Sequence, residues 1–356
     1  MKLSVLVPAY NLELYIGPCL LSILKQEADF DYQVIVCDDA STDQTPIKIA
    51  ELKKQYPKKL KAIYKAENAG LAANMATLLE AASGEYIAYL DGDDIALPSK
   101  LQTQVDYLDQ YQDCQMVFHE CDMFDSDSNK TIKFYSKEFY NWSLIPKRST
   151  IEDMIKYGSY MQASSVMFRN HPNLTKTIAT NCKIIFDYAF YILNAGYLDA
   201  KVDFIPEVLG RYRIHENSFG QQTSRSYARR AQSLLDLEHA CELAIQFDVD
   251  PAIIDSGIAH HRFAAALYFL NRDAFDLFIK YIELATKSEH YFNTKHRVAY
   301  ENRQQPKKVK QLLSEVNKGD NNNQIDYNDY NRLNDLLNIQ LEKWEKIQGE
   351  INKLKK

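Results

Sequence analysis

The sequence predicts an α/β protein, a doubly wound and largely parallel sheet followed by an all-helical extension. Three observations carry this. Over the first hundred residues, short and nearly continuous β-branched runs alternate with segments of helical period. The runs end in the polar clusters PAYNLE, DDAS and DGDD, as expected where a parallel sheet opens a ligand crevice at the carboxyl ends of its strands. Beyond residue 225 the pattern is wholly helical and polar-faced.

LSVLVPAY reads as a first strand buried on both faces. LYIGPCLLSILKQ follows with Ile16, Leu20, Ile23 and Leu24 at helical spacing. YQVIVCDD is a second strand, TPIKIAELKKQY a helix, LKAIYKAEN a third strand, LAANMATLLEAASG a helix closed by Gly84, and EYIAYLDGDD a fourth strand. Right-handed crossovers join such strands. From about 100 to 220 the pattern loosens: KLQTQVDYLDQY reads as a helix, QMVFHECDMF and SSVMFRN as strands, and FDYAFYILNAG as a helix closed by Gly196. The expected organisation is an α/β domain over 1–224, in halves 1–100 and 101–224, a helical extension over 225–318, and a linker with an amphipathic helix over 319–356. In that last helix Leu333, Leu337, Trp344, Ile347, Ile351 and Leu354 fall near a and d positions, with Gln340 interrupting. Docking on the chain's own domain and a coiled-coil contact with another subunit or partner through 330–354 both stay open.

With 356 residues, 46% of them hydrophobic, the chain can bury a core without staples. A net charge of -6 argues against a broad phosphate-binding face, so no nucleic-acid partner is expected. The apolar stretch before Pro8 is too short for a signal sequence, and no later run reaches the ~20 residues of a membrane span. A cytoplasmic protein is expected, peripheral to the inner face of a membrane at most. Six cysteines without a C-x-x-C pair read as reduced, buried thiols.

The acidic clusters carry the chemistry. Asp91, Asp93 and Asp94 repel one another unless a cation or hydrogen-bond donors offset them, and Mg²⁺ or Mn²⁺ takes such oxygen ligands. An Asx turn leading to a helix cap is the structural alternative. At DDAS, a carboxylate can accept from a nucleobase N–H or a ribose hydroxyl, while Ser41, Thr42 or Asp43 caps the next helix.

Together PAYNLELYIGPCLLSILKQ, VCDDASTD, ENAGLAAN, ASGEYIAYLDGDD and KLQTQVDYLDQ, in order over residues 3–108, resemble the family 2 glycosyltransferases of GT-A fold. The resemblance implies a nucleotide-sugar donor, a divalent metal (Mn²⁺ or Mg²⁺) and inversion at the anomeric carbon. It implies that 1–100 is the nucleotide-binding half and 101–224 the acceptor-binding half. Pro8, Tyr10 and Glu13 match the first nucleotide-pocket motif, and Asp39 matches the aspartate that reads the base, with Asp38 organising the loop. Asn68, Gly70 and Asn74 match the segment under the nucleotide; Ala73 stands where many relatives carry arginine, which shifts diphosphate neutralisation toward the metal and Lys65. Asp91, followed by Gly92, matches the ribose- and sugar-side carboxylate, and Asp93 the direct metal ligand beside it.

In the second half, Asp187 of IIFDYAFYILNAG matches the catalytic base, with Phe186 where the family's motif has an acid. RYRIHENSFGQQ resembles the Y-R-x-H-x-x-S segment, which implies Arg213 on the diphosphate and His215 on the metal or a phosphate. QASSVMFRN is expected to line the acceptor side through Gln162, Ser164 and Ser165, and His119 to be a buried structural histidine. The implied function is transfer of a sugar, from a UDP-sugar first among donors, to a hydroxyl of a glycan, lipid-linked or protein acceptor in bacterial surface glycan synthesis. The Q-x-x-R-W signature of processive synthases is absent, so one sugar per encounter is expected. A non-catalytic, transferase-like scaffold acting through the helical C-terminal region is the alternative.

Overall fold

The computed structural model describes residues 1–140, 145–286, 291–320 and 327–354, leaving aside the side chains of 139, 316–320, 327–334 and 350–354. Strands β1 (Leu3–Ala9), β2 (Tyr32–Asp38), β3 (Leu60–Tyr64) and β4 (Tyr86–Tyr89) pair in parallel in the order β3-β2-β1-β4. Helices α1 (Ile16–Leu24), α2 (Thr45–Gln55), α3 (Leu71–Ala81) and α4 (Lys100–Gln110) cover both faces. Successive strand residues part to opposite sides: Val5 and Val7 join Ile16, Leu20, Ile49, Leu101 and Val105, whereas Leu6 and Ile35 join Met75 and Leu78.

Beyond β4 the sheet becomes mixed. β9 (Met167–Arg169) runs antiparallel to β4 and to β6 (Met116–Asp125), and β10 (Val202–Ile214) runs parallel to β6. The carboxyl ends of β1, β2, β4, β6 and β10 therefore lie on one edge. Short strands complete the sheet: β5 (Ile95–Ala96) and β8 (Arg148–Ser149) pair with β10, and β7 (Thr131–Phe134) pairs with β6. None of these three, nor β10, stands among the strands expected from the sequence. β10 contains Pro206 and slips register at Ile205/Val208 and Val208/Gly210, which erases its period of two.

Helices α5 (Ile151–Tyr157), α6 (Asp187–Leu198), α7 (Phe219–Arg225), α8 (Tyr227–Glu242), α9 (Pro251–Asn271), α10 (Phe275–Ala285), α11 (Thr294–Glu301) and α12 (Pro306–Asp320) follow. Ala240 and Cys241 of α8 and Ile254 and Ile258 of α9 join the same apolar cluster as α6. At the α9–α5 crossing, a Cβ on Gly257 would lie 2.6 Å from Ile155 Cγ2. Phe263, Phe269, Phe278 and Ile282 build a further cluster.

The last helix, α13 (Tyr327–Leu354), lies on the sheet. Its Leu337 and Trp344, with Leu341 and Ile347, pack against Ile95, Leu97, Phe124, Phe134 and Val208. Of the two arrangements left open by the heptad pattern, docking on the chain's own sheet accounts for this stripe, because Leu337 and Trp344 are only 2% and 5% exposed. The side chains of Leu333, Ile351 and Leu354, and residues 321–326 of the expected linker, lie outside what the structure describes. No described helix is long and apolar enough to cross a membrane. All six cysteines are free and buried.

Candidate active site

The loops after β1 and β2 are stapled together. Asn11 N donates to Ser41 Oγ at 2.8 Å, Leu12 N to Thr45 Oγ1 at 2.7 Å, and Glu13 N to Asp43 Oδ2 at 3.0 Å. In return Asn11 Oδ1 accepts from Thr42 N, and Glu13 Oε2 from Gln44 N. The expected capping of α2 by Ser41 or Thr42 is corrected here: Gln44 is its N-cap without a side-chain bond, and only Asp43 turns back, onto Thr45 N. Glu13, expected in the nucleotide pocket, braces this loop pair. Pro8 is buried in β1 and Tyr10 is exposed at the loop tip.

Asp38 accepts from Ser41 N and Oγ at 3.1 and 2.6 Å. Asp39 is buried and accepts from Ala69 N and Gly70 N at 3.2 and 2.8 Å, with Lys65 Nζ 3.5 Å away. It ties β2 to the turn before α3, where Gly70 has a φ of 85°, a left-handed value that favours glycine. Asn74 Nδ2 donates to Cys37 O at 2.9 Å, its Oδ1 is buried without a partner, and Asn68 is exposed.

β4 ends in the acidic turn. A Cβ on Gly92 would stand 2.7 Å from Leu12 Cδ1 and 2.8 Å from Pro8 O, so the turn sits against β1 only with glycine there. The three carboxylates have different surroundings. Asp91 accepts the Tyr89 hydroxyl and its N–H donates to Ser164 Oγ at 2.9 Å. Burial, and then the charge of Asp93, push its pKa up to about 7. Asp94 is buried and accepts from Ser164 Oγ at 2.6 Å, Gln162 Nε2 at 3.1 Å and Arg213 N at 2.9 Å. Burial, followed by Asp93 and Asp91, holds it well above the usual carboxylate range. Asp93, partly exposed, lies 3.1 Å from His215 Nε2. The His215 ring rests on Tyr15 with centroids 4.4 Å apart.

Two expectations change at this turn. Arg213, expected on a diphosphate, donates from Nε to Asp93 O at 2.7 Å and from Nη1 to Ser126 Oγ at 3.3 Å, between the Tyr15 and Phe124 rings. It clamps the turn instead. Gln162, Ser164 and Ser165, expected to line the acceptor side, are 3%, 4% and 0% exposed. They stand behind the acidic turn because their polar groups satisfy Asp91 and Asp94, and Ser165 Oγ holds their own turn by donating to Gln162 O.

Clustered carboxylates whose charges oppose one another suit a cation. Asp93 and His215 offer an oxygen and a nitrogen together, and among the described residues no group of three His, Cys, Asp or Glu forms a fuller ligand set. Two protein ligands fit Mg²⁺ or Mn²⁺, which fill their remaining positions with water and phosphate oxygens.

Asp187 is the first residue of α6, and Phe186 rather than Asp187 is the N-cap. Its charge reaches the phenols of Tyr89, Tyr135, Tyr140, Tyr191 and Tyr212. Tyr135 lies 5.3 Å from the Tyr140 ring and meets Tyr212 edge-on at 6.1 Å. Burial raises the Asp187 pKa, and the amides opening the helix pull it partly back. The same charge adds to the upward push on Asp91, so the two carboxylates are near neighbours. A carboxylate with a raised pKa beside an aromatic wall can take a proton from a hydroxyl.

His119 is buried, with Nδ1 2.8 Å from Glu120 O and Nε2 2.9 Å from Lys100 Nζ, and burial keeps it neutral. Burial also lowers Lys100 to about 7. Lys100 carried no expectation of its own, and the burial of Asp94 within its acidic cluster was not expected; a lysine in a polar-faced helix and one more aspartate in an acidic run give no local sign of burial.

The profile described as Glycosyl transferase family 2 matches residues 4–172 of this chain. An uncharacterised glycosyltransferase of Methanocaldococcus jannaschii is 32% identical over 218 residues, which cover 59% of this chain and 70% of that protein. Among solved structures, S. aureus TarS 1-349 in complex with UDP-GlcNAc is similar with a TM-score of 0.57 at 20% identity, covering 86% of this chain and 88% of that one. The mannosyltransferase PcManGT from Pyrobaculum calidifontis, in complex with GDP-Man and Mn²⁺, is similar with a TM-score of 0.56 at 17% identity, covering 86% and 85%.

Proposed function

The chain belongs to glycosyltransferase family 2, with the GT-A fold, and from this premise we propose that it is an inverting, divalent-cation-dependent enzyme. It moves a sugar from a nucleotide-sugar, a UDP-sugar first among donors, to a hydroxyl of a glycan, lipid-linked or protein acceptor. The observation that carries the reading is a divided cleft: Asp93 and His215 meet at the ends of β4 and β10, and Asp187 stands at the start of α6 among tyrosines. TarS with UDP-GlcNAc and PcManGT with GDP-Man and Mn²⁺ lend support to a nucleotide-sugar donor and a metal.

In the reaction Asp187 accepts the proton of the attacking hydroxyl. The hydroxyl oxygen bonds to the anomeric carbon as the bond from that carbon to the diphosphate oxygen breaks on the opposite face, which inverts the centre. A Mn²⁺ or Mg²⁺ held by Asp93 and His215 would supply charge neutralisation for the departing diphosphate. Asp91 orients sugar or ribose hydroxyls, and Asp94, Ser164 and Arg213 keep Asp93 in place. Pro8, Tyr10, Asp39, Asn68, Gly70 and Asn74 form the base and ribose side, so residues 1–100 carry the donor and 101–224 the acceptor. Work at the cytoplasmic face of a bacterial membrane, on a surface glycoconjugate, completes the reading.

Incubation of the full chain with UDP-, GDP- and dTDP-sugars and Mn²⁺ tests this through nucleotide release and a thermal shift. One donor class is expected to raise the melting temperature and to be consumed. Neither binding nor release with any class contradicts it.

A further inference from the structure

Among the described residues, the buried guanidinium nitrogens without an acceptor belong to Arg229, at Nε and Nη2, and to Arg230, at Nε. Arginines that enter the core elsewhere are answered. Arg211 Nε donates to Asp122 at 2.7 Å and Arg262 Nε to Glu238 at 2.7 Å. A guanidinium taken out of water without an acid is costly, and an anion is what relieves it. The vacant atoms also form a pattern. Nε and Nη2 make up one edge of a guanidinium, the edge that holds two oxygens of an oxyanion side by side. In Arg229 that whole edge is vacant.

Arg230 is within electrostatic reach of Tyr140 in the aromatic wall around the proposed base, and Arg229 precedes it in α8. Arg229 lies 4.8 Å from the ring of Phe219, and Arg230 lies 5.2 Å from the ring of Tyr268. Phe219 is 51% exposed, so the ring against Arg229 borders solvent. It opens α7, four residues beyond His215, and α7 reaches Tyr212, whose hydroxyl would be 3.4 Å from a Cβ on Gly220. Tyr212 meets Tyr135, Tyr135 lies on Tyr140, and Tyr140 is within electrostatic reach of both Asp187 and Arg230.

We propose that Arg229 and Arg230 bind a phosphate group carried by the acceptor, beside the hydroxyl that Asp187 deprotonates, so that the acceptor is phosphorylated or diphosphate-linked rather than a neutral sugar. The inference rests on the transferase reading of the cleft. Three vacant donors on two separate guanidinium groups suit the several oxygens of a phosphate better than the single pair of a carboxylate. The donor's diphosphate is the other source of such a group, and its place is at Asp93 and His215.

Glycerol 3-phosphate, titrated calorimetrically into the full chain without donor or metal, separates these sources. Wild type and Asp93→Asn are expected to bind it alike, and Arg229→Gln and Arg230→Gln to bind about tenfold or more weakly, the loss that follows from one charge-assisted bidentate contact. Melting curves without ligand show whether a variant is folded; if a glutamine variant is not, Arg229→Lys and Arg230→Lys decide, with weaker binding expected because the two-pronged edge is gone. Unchanged affinity in the folded arginine variants, loss of binding in Asp93→Asn, or no binding by the wild type overturns the proposal. Intact binding in a chain that consumes no nucleotide-sugar would count against the transferase reading alone.

Discussion

His215 Nε2 stands 3.1 Å from Asp93 Oδ2 although 122 residues separate them in the chain. The meeting is topological. β9 runs antiparallel to both β4 and β6, so β6 and then β10 return to the direction of β4 and end on the same edge. A β10 of opposite direction would carry His215 to the far edge of the sheet.

Gly92→Ala is expected to displace the acidic turn, since its Cβ would overlap Pro8 O and Leu12 Cδ1. Overpacking of this kind costs about 1–3 kcal/mol. Urea denaturation is expected to show that loss, together with weaker nucleotide binding in titrations.

Ser164→Ala removes a donor to Asp94 and the acceptor of Asp91 N–H at once. Leaving such buried groups unanswered costs about 1–3 kcal/mol. The variant is expected to melt earlier and to lose turnover more than acceptor affinity, because the residue holds the turn rather than touching the acceptor; a rise in acceptor KM alone contradicts that placement.

How much of this was legible in the sequence follows from the range of each interaction. The parallel half was legible because Val5, Leu6, Val34 and Ile35 sit in short apolar runs bounded by turns. DGDD, DDAS and Asp187 were legible as local motifs. Which way the Gln162–Ser165 turn faces was not, because its bonds to Asp91 and Asp94 cross about 70 residues of chain. β10 was hidden by Pro206 and by its bulges, and with it the reason His215 comes to Asp93. The vacant donors of Arg229 and Arg230 leave no trace in sequence at all, since any arginine on an amphipathic helix reads as solvated.

The base role proposed for Asp187 requires its unprotonated form, and burial raises its pKa above the ordinary carboxylate value of about 3.9. The acid limb of kcat/KM is therefore expected to fall at a higher pH than that of an exposed carboxylate. Asp187→Asn should lower turnover by about 10²–10⁴. Its folded-state pKa is raised, so the charged form opposes folding above that value, and the asparagine variant is expected to be at least as stable as wild type at neutral pH. Rate–pH profiles and melting curves check both signs.

Trp344→Ala removes the anchor of α13 on Phe124, Phe134 and Val208. A loss of about 3 kcal/mol is expected from a buried tryptophan, with faster proteolysis within α13. Unchanged proteolysis contradicts docking of this helix on the sheet.

The division between a metal end and a proton end is tested most directly by titrating the nucleoside diphosphate of the consumed donor with and without Mn²⁺. Wild type and Asp187→Asn are expected to bind it about tenfold or more tightly with the ion, and Asp93→Ala and His215→Ala to lose that dependence. Binding indifferent to Mn²⁺ in the wild type, or an Mn²⁺ effect that survives Asp93→Ala, contradicts the division.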